Sequence, residues 1–315
     1  MTEATGSGPS FEVVLVAYRS RHHVEDLLDL WSPTTRVALV DNSANVDGVM
    51  DLVKGRSNCR YVDGGSQGFA RAANAGARES DSDVLVFVNP DSRPTVADLR
   101  ALVDGLWADP GAASHAALLT DRNGQVEIGV GGWEPTVPRA LVHSVGLHKL
   151  MPERGLYARP RPDRPCAPDW TTGACMAVRS EVFRRVGGFD ELFFVYSEDV
   201  SFGRRVRALG YRQVLRHDVV VRHGAGNSGS PSLEMYRLRG ASMATYVRTY
   251  HRPVRAAGVV AATALGYALR AVAAYPRRPA VARSHAAYLK GLLTRRAWVG
   301  DVEVSAARRA EQLVS

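Results

Sequence analysis

The sequence predicts an α/β fold with a mostly parallel central sheet, helices flanking it, and a C-terminal helical extension. Short apolar runs rich in β-branched residues alternate with segments of helical periodicity over residues 11–107. Polar residues follow the ends of these runs, as they do where parallel strands end at a ligand site. Beyond residue 228 the composition changes to Ala, Val, Leu and Arg, which favours helices.

The first half of the chain reads as alternating strands and helices. Strands are expected at residues 11–17, 36–40, 60–62 and 83–88. Helices are expected at residues 22–31, 69–78 and 95–107, with a short helix before Lys54. Tyr18, Asp41 and Asp91 follow three of the strands. Because parallel strands end at one edge of the sheet, we expect one site built from all three.

The second half is less regular. Residues 112–119 and 125–130 are expected to form antiparallel strands around a turn at residues 121–124. Residues 133–168, rich in Pro and Arg, read as a long connection. A strand at 171–178, a helix carrying Glu198 and Asp199, a strand at 218–222 and helices at 233–250 and 252–275 complete the expected order.

Composition indicates which kinds of partner the protein binds and where in the cell it works. The net charge of +8 suggests nucleotide phosphates, acidic lipid headgroups or nucleic acid as partners. No helix-turn-helix, zinc-finger or RNA-binding motif is present, so no nucleic acid is expected. Three scattered cysteines and a polar start without a signal-like segment suggest a flexible N-terminus at residues 1–10 and a cytoplasmic protein. Association with the inner face of the cell membrane stays open.

The acidic pair Glu198-Asp199 is the centre of the functional prediction. Ser197 is a suitable N-cap residue, which would place both carboxylates in the first turn of a helix. The helix dipole there favours the ionised form, which is the form that a general base needs. The alternative is an acidic first turn that only stabilises a surface helix.

Several motifs occur together in an order that resembles one enzyme family. The runs are V-D-N-S, Q-G-F-A-R-A-A-N-A-G, N-P-D, G-A-C-M-A-V-R, V-G-G-F-D-E and Y-S-E-D-V. Over residues 13–228 they resemble family 2 glycosyltransferases, and within it they are most similar to bacterial rhamnosyltransferase-like members. The resemblance implies a GT-A type, Rossmann-like domain at residues 11–228, with a nucleotide-binding half at 11–91 and an acceptor-side half at 92–228. Residues 229–315 would form a basic helical region.

The resemblance implies a set of nucleotide-binding residues. They are Ala17, Tyr18, Asp41, Gly68, Arg71, Asn74, Asn89 and Asp91. Asp41 would accept a hydrogen bond from the base, although an Asp that caps its own turn is the alternative. Arg71 would contact the diphosphate, and Asn74 would bind the base or hold the loop. Gly68 makes the loop permissive enough for backbone to approach a ligand.

A divalent cation is also implied. The family usually carries Asp-x-Asp where this chain has Asn89-Pro90-Asp91, so the metal-binding role falls on Asp91. In the family a histidine at the position of His223 completes the metal shell. Mg²⁺ or Mn²⁺ suits such ligands. A plain turn at Asn89-Pro90-Asp91 and a structural His223 are the alternatives.

On the acceptor side, the family pattern assigns the general base to Asp199. Glu198 would orient the site or contact the acceptor. Trp170, Thr172 and Gly173 would lie beside the sugar and acceptor, where an aromatic face can stack on a pyranose ring. Trp170 as a core residue is the alternative.

We therefore expect an inverting glycosyltransferase that uses a nucleotide diphosphate sugar. The best candidate reaction transfers L-rhamnose from dTDP-L-rhamnose to a hydroxyl of a glycan, a lipid-linked glycan or a small molecule. A UDP- or GDP-sugar donor and a non-catalytic nucleotide-sugar-binding scaffold are the alternatives. The basic apolar C-terminal region reads either as a helix lying on an anionic membrane or as a helical subdomain packed on the core.

Overall fold

A computed structural model describes residues 8–161, 166–224 and 233–294. Its main sheet contains β1 Phe11–Ala17, β2 Arg36–Asp41, β3 Cys59–Asp63, β4 Val84–Val88, β5 Ala112–Thr120, β8 Cys175–Arg179 and β9 Arg212–Arg222; a small second sheet pairs β6 Gly131–Gly132 with β7 Trp170–Thr171. The seven strands run in the order β3-β2-β1-β4-β8-β5-β9. Strand β8 is antiparallel to both neighbours, and the other pairs are parallel. The expected mostly parallel sheet is confirmed.

The helices flank this sheet and continue beyond it. They are α1 Arg21–Leu30, α2 Phe69–Arg78, α3 Val96–Trp107, α4 Val137–Ser144, α5 Ser180–Arg185, α6 Glu198–Ala208, α7 Leu233–Tyr250, α8 Pro253–Ala274 and α9 Pro279–Leu293. Short 3-10 helices lie at Val49–Val53, Leu147–Lys149 and Pro152–Arg154. Thr95 and Asp98 form a reciprocal capping box at the start of α3, which satisfies two backbone N–H groups there.

The core lies on both faces of the central strands. All residues of β1 and of β4 are buried, which explains why both read as continuous apolar runs without alternation. Ala70, Ala73 and Ala77 of α2 are buried, so the helix presents small side chains to the sheet. Gly76 of α2 has no room for a side chain, because a Cβ there would meet Val14 and Val40. Small residues thus bring α2 close to β1 and β2.

The expected hairpin after β5 is wrong. Residues 125–130 form no strand, and only an isolated bridge joins Thr120 to Val126. Strand β8 pairs with β5 only at Ser114–Ala116, whereas β9 pairs along the other edge from Ala112 to Thr120. The returning chain therefore meets β5 only at its end, where the Glu127 N–H donates to the Leu119 carbonyl at 3.0 Å beside the Thr120–Val126 bridge.

The expected long connection at residues 133–168 contains more structure than its composition indicates. It holds α4 and two 3-10 helices, while residues 162–165 lie outside the described part. Thr136 caps α4 through its side chain, and Ser144 Oγ donates to the Ala262 carbonyl of α8 at 2.7 Å. The strand expected at 171–178 is split into β7 and β8, and the strand expected at 218–222 is the end of the longer β9.

The C-terminal extension is helical, as expected, with α9 as an additional helix. Gly240 of α7 and Gly291 of α9 have no room for a side chain, because a Cβ at either would meet backbone of the other helix. Helix α8 is the one helix among the described residues whose length and composition would allow it to cross a membrane, and 28% of its most apolar window is buried. The N-terminal residues 1–7, the boundary at residue 228 and the tail from residue 301 lie outside the described residues. The division into halves at residue 91 stays a prediction.

Candidate active site

A cavity of about 1060 Å³ opens between the sheet and the C-terminal helices. Its walls come from strand ends, from the start of α6 and from α4, α7 and α8. Among the predicted site residues it is lined by Asn89, Asp91, Trp170, Thr172, Asp199 and His223. The structure therefore brings the predicted metal, base and acceptor residues to one place, because parallel strand ends share one edge of the sheet.

Asp91 and His223 meet in this cavity, with Glu127 on the far side of the imidazole. His223 Nε2 lies 3.3 Å from Asp91 Oδ1, and His223 Nδ1 lies 2.9 Å from Glu127 Oε2. Burial opposes protonation of His223, but the two carboxylates outweigh it and raise its pKa to about 10. Burial likewise opposes ionisation of Asp91, but His223 outweighs it and lowers the pKa of Asp91.

These residues fit a divalent cation as a partial ligand set. His223 Nε2 faces Asp91 Oδ1 and makes no other contact with a polar group of the described residues, so a cation that took both atoms as ligands would displace the proton that His223 holds there. Carboxylate and imidazole together suit Mn²⁺ at least as well as Mg²⁺. Within residues 8–161, 166–224 and 233–294, no cluster of three or more His, Cys, Asp or Glu forms a complete metal site. A cation at Asp91 and His223 would thus need further oxygen ligands from a bound diphosphate or water.

The acidic pair begins α6, but its two carboxylates differ in environment. Asp199 lines the cavity, and its Oδ1 accepts a hydrogen bond from the backbone N–H of Val200 at 2.7 Å. Burial raises the pKa of Asp199 to about 6. Glu198 is only 7% exposed, and its Oε2 has no hydrogen-bond partner. Burial and then the charge of Asp199 raise the pKa of Glu198, so for this group burial outweighs the helix dipole that was expected to lower it.

The turn before α6 aims Asp199 into the cavity. Tyr196 and Ser197 both adopt left-handed backbone conformations, with φ of 68° and 69°. Such conformations cost about 1–3 kcal/mol for residues other than glycine and are concentrated at functional sites. Ser197 occupies the N-cap position, as expected, although its side chain makes no capping hydrogen bond. The alternative of an acidic first turn on a surface helix is therefore wrong, because Glu198 is buried and Asp199 faces the cavity.

Asp41 is fully buried at the end of β2, and its carboxylate is occupied by its own loop. Oδ1 accepts from the backbone N–H and hydroxyl of Ser43 at 2.8 and 2.7 Å. Oδ2 accepts from the Asn45 N–H and from the Tyr61 hydroxyl. The arrangement matches the turn-capping alternative, and a base contact would require one of these bonds to be exchanged. Base recognition by Asp41 stays a prediction.

The residues of α2 contact the acceptor-side half in this structure. The Gly68 Cα faces Phe194, where an added Cβ would collide, and Phe69 N–H donates to the Phe194 carbonyl at 2.6 Å. Asn74 exchanges two hydrogen bonds with the backbone of Phe189, which lies outside the Gly-rich loop, so its predicted roles at the base or in that loop stay predictions. Arg71 lies 3.5 Å from the Glu191 carboxylate. A diphosphate contact by Arg71 stays a prediction.

The other predicted residues lie around these groups. Ala17 is buried at the end of β1, and Tyr18 is half-buried beside it. Trp170 is 7% exposed and lines the cavity with Thr172, so it serves the core and the cavity together. Gly173 lies behind them, against Phe69 and Phe189.

Sequence reasoning missed several cavity residues that bear on the chemistry, among them Glu127, Trp133, Tyr157, Arg239 and Arg270. Glu127 lies in the strand expected at residues 125–130, and Trp133 begins the expected connection; no local pattern marks either as a site residue. Arg239 and Arg270 were assigned to the basic C-terminal region. The excess of arginine there was the one available signal.

Comparisons with known proteins agree with the fold and the site. Residues 13–129 match the profile of glycosyl transferase family 2, and residues 162–287 match that of glycosyl transferase family group 2. The mannosyltransferase PcManGT from Pyrobaculum calidifontis, solved with GDP-Man and Mn²⁺, superposes with a TM-score of 0.54 at 18% identity. That superposition covers 98% of this chain and 81% of the mannosyltransferase. It shows the GT-A-like fold.

Relatives with known activities are similar to this chain over most of its length and are sugar transferases. The N-acetylglucosaminyl-diphospho-decaprenol L-rhamnosyltransferase of Mycobacterium tuberculosis is 29% identical over 238 residues, 69% of this chain and 76% of that protein. Rhamnosyltransferase WbbL of Escherichia coli is 23% identical over 211 residues, 64% of this chain and 78% of that protein. The family profiles cover both halves of the catalytic fold. The chain belongs to glycosyltransferase family 2 and is an enzyme that transfers a sugar from a nucleotide sugar.

Proposed function

We propose that this enzyme moves L-rhamnose from dTDP-L-rhamnose to a hydroxyl of a lipid-linked glycan, with inversion at the anomeric carbon. The observation that carries the proposal is the shared cavity of Asp199, Asp91 and His223. The names of the two curated relatives support rhamnose as the sugar, and one of them supports a lipid-linked acceptor.

Asp199 is the proposed general base. Its carboxylate takes the proton of the acceptor hydroxyl while that oxygen attacks the anomeric carbon. The bond from this carbon to the donor phosphate breaks on the opposite face, and the nucleoside diphosphate leaves with the electron pair. The raised pKa of Asp199 makes it a stronger base while leaving it ionised at neutral pH.

Asp91 and His223 would hold Mg²⁺ or Mn²⁺, a cation that would neutralise the negative charge of the departing diphosphate. Glu127 orients His223 toward Asp91, and Asn89 lines the cavity beside them. Trp170 and Thr172 shape the space next to Asp199 in which the acceptor sugar would lie.

The base assignment is tested by Asp199→Asn. The variant should retain donor binding and lose about 10²–10⁴-fold in turnover, the contribution typical of general base catalysis. Exposed Glu181→Gln on α5 is the matched control and should behave as wild type. Near-normal turnover of Asp199→Asn would show that another group takes the proton.

The donor is tested by thermal shift with Mn²⁺ and a panel of dTDP-, UDP- and GDP-sugars. At a hundred times its dissociation constant a ligand stabilises the fold by about 2.7 kcal/mol, which such a scan detects. We expect the largest shift with dTDP-L-rhamnose, reduced in Asp91→Ala. A larger shift with a UDP- or GDP-sugar would identify that nucleotide sugar, and not dTDP-L-rhamnose, as the donor.

We also propose that the enzyme works in the cytoplasm at an anionic membrane surface. Leu265, Leu269 and Val272 form an exposed apolar stripe on α8, at 49%, 51% and 74% exposure. Exposed Arg277 and Arg278 follow the helix end. Apolar side chains flanked by arginine suit an interfacial helix on anionic lipid. Flotation with anionic and neutral vesicles at low salt tests this, and absence of binding to either would contradict it.

A further inference from the structure

One end of the active-site cavity is cationic. Arg239 of α7, Arg270 of α8, Arg159 and Lys149 line it. The carboxylates that line the cavity are Asp91, Glu127 and Asp199, and the first two contact His223. In the described part of the chain no carboxylate forms an ion pair with Arg239 or Arg270. Arg239 lies over the Tyr196 ring at 4.5 Å, and Arg270 donates to the His143 carbonyl at 2.6 Å.

The same end holds polar atoms that lack partners. The Nδ1 atoms of His143, His148 and His285 are buried without a hydrogen bond, and all three residues line the cavity. The rings of His143 and His148 stack at 4.2 Å between centroids. Buried polar groups are nearly always paired in folded proteins, so three such atoms in one wall indicate a missing polar ligand.

The electrostatics indicate the sign of that ligand. Burial, followed by the charges of neighbouring groups that include Arg270, lowers the pKa of His143 to about 3. Burial and then Arg159 lower the pKa of His148. The imidazoles are therefore neutral. Among the described residues that line the cavity, Asp199 is the one carboxylate whose charge acts on Arg239, and it forms no ion pair with it, so the guanidinium groups of Arg239 and Arg270 carry the local charge. An anion placed among them would be favoured.

This cationic end lies on the acceptor side of Asp199. Arg239 acts on the ionisation of Asp199, whereas the charged groups acting on Asp91 are His223 and His23. From the acceptor wall, ring centroids step 6.1 Å from Trp170 to Tyr157 and 5.4 Å from Tyr157 to His143. Each of these two separations is comparable to the width of a sugar ring. A sugar lying along this wall can therefore place one hydroxyl at Asp199 while a substituent on the opposite side of its ring reaches Arg239 and Arg270.

We propose that Arg239 and Arg270 bind a phosphoryl group of the acceptor, so that the acceptor is a sugar esterified to phosphate or diphosphate at its anomeric carbon. The inference rests on the proposed transfer to a hydroxyl at Asp199. Guanidinium groups bind phosphate oxygens with paired charge-assisted hydrogen bonds. The unpaired imidazole nitrogens of His143 and His148 supply further polar contacts.

The surface next to this subsite fits the lipid end of such an ester. Leu147 and Leu150 flank the cavity residues His148 and Lys149 and are 43% and 81% exposed. Leu269 precedes Arg270 and is 51% exposed. A chain leaving the phosphate would pass between these apolar side chains, on the face of α8 that we place at the membrane.

A binding experiment tests the subsite without requiring catalysis. Inorganic pyrophosphate is titrated into the full chain by calorimetry in EDTA, which keeps divalent cations away from Asp91 and His223. Arg239→Ala/Arg270→Ala should bind at least about tenfold more weakly, the loss of roughly one charge-assisted hydrogen bond. His223→Ala and the exposed-arginine control Arg185→Ala should bind as wild type does. No binding by wild type, or a loss confined to His223→Ala, would overturn the proposal.

A kinetic experiment separates acceptor from donor. The same sugar is offered as a short-chain alkyl diphosphate and as a plain alkyl glycoside. Arg239→Ala should raise KM for the diphosphate acceptor about tenfold or more and leave the donor KM unchanged. The ratio of kcat/KM for the diphosphate to kcat/KM for the glycoside should fall by the same factor, and this ratio cancels any effect of Arg239 on Asp199, which serves both acceptors. Arg239→Lys should fall in between. A rise in donor KM instead would assign the arginines to the donor diphosphate and overturn the proposal.

The two experiments also distinguish failure of this inference from failure of the proposed function. If wild type uses neither acceptor but binds pyrophosphate through Arg239 and Arg270, the proposed reaction is wrong and the anion subsite stands. If wild type uses both acceptors equally well, the reaction stands and phosphate recognition is wrong. Thermal melts of each variant show whether a loss reflects unfolding.

Discussion

Glu127 Oε2 lies 2.9 Å from Nδ1 of His223, which leaves Nε2 of the same ring directed at Asp91. A carboxylate on one imidazole nitrogen fixes the tautomer and orientation of the ring and makes the other nitrogen a better metal ligand. The two residues are 96 positions apart in the chain, and the end of the sheet brings them together.

We predict that Glu127→Ala weakens Mn²⁺-dependent donor binding about 10- to 100-fold, the loss typical for such an orienting carboxylate. Glu127→Gln should lose much less, because its side-chain oxygen still accepts a hydrogen bond from Nδ1. Titration of Mn²⁺ in the presence of nucleotide measures this. Equal affinities for wild type and Glu127→Ala would show that His223 needs no partner.

The pH dependence of turnover should report Asp199. Its pKa is raised to about 6 by burial, and only the ionised carboxylate accepts a proton. We therefore expect kcat/KM to fall as pH decreases through about 6, approaching tenfold per pH unit below it. Initial rates between pH 5 and 8 test this. A profile that is flat down to pH 5 would mean that the base has an ordinary carboxylate pKa.

Glu198→Gln should stabilise the fold at neutral pH. Burial raises the folded-state pKa of Glu198 above the ordinary value of 4.5, so the folded state holds a proton that the unfolded state releases. Stability from this group is present at low pH and is lost as pH rises above about 4.5, by up to about 1.4 kcal/mol per pH unit. Glutamine does not titrate, so the Glu198→Gln variant does not lose stability from this position as the pH rises.

Thermal melts of wild type and Glu198→Gln at pH 5, 6 and 7 test this prediction. The difference in Tm should grow with pH, while Glu181→Gln on the exposed face of α5 shows no such trend. A difference that is constant from pH 5 to 7 would mean that Glu198 is ionised in the folded protein.

Glu134 joins the C-terminal helices to the catalytic domain. Its carboxylate accepts from Arg204 and Arg207 of α6 at 2.8 Å each and from the Tyr246 hydroxyl of α7 at 2.9 Å. The Glu134 side chain is 18% exposed. Its removal leaves Arg204 and the buried Tyr246 hydroxyl without this carboxylate, while Arg207 keeps its contact with Asp169.

We predict that Glu134→Ala lowers the free energy of unfolding by about 2 kcal/mol, a value reduced for the partial exposure of the arginines. Because α6 carries Asp199 and α7 carries Arg239, turnover should also fall. Chemical denaturation measures the stability, with Glu181→Gln as control. A loss below about 0.5 kcal/mol would mean that the network contributes no more than surface ion pairs do.

Much of the architecture was predictable because continuous apolar runs mark fully buried strands and helix-favouring composition marks the helices. The predicted bounds at residues 11–17, 69–78 and 233–250 match β1, α2 and α7. The hairpin at residues 125–130 was wrong and α4 was missed. Strand pairing depends on which edges other strands occupy, and the helicity of α4 is supported by its packing on α8.

The sequence by itself determined which chemical groups stand at the strand ends and at the start of α6, because that placement follows from the order of strands and helices. The order of strands predicted one site from Tyr18, Asp41 and Asp91, and the resemblance to family 2 glycosyltransferases added Asp199 and His223 to it. The tertiary structure alone decided what those groups experience. The raised pKa of Glu198, the orientation of His223 by Glu127 and the cationic wall of Arg239 and Arg270 arise from burial and from charges brought together by the fold. Desolvation and Coulomb interactions depend on distance in space, and the linear sequence does not contain that distance.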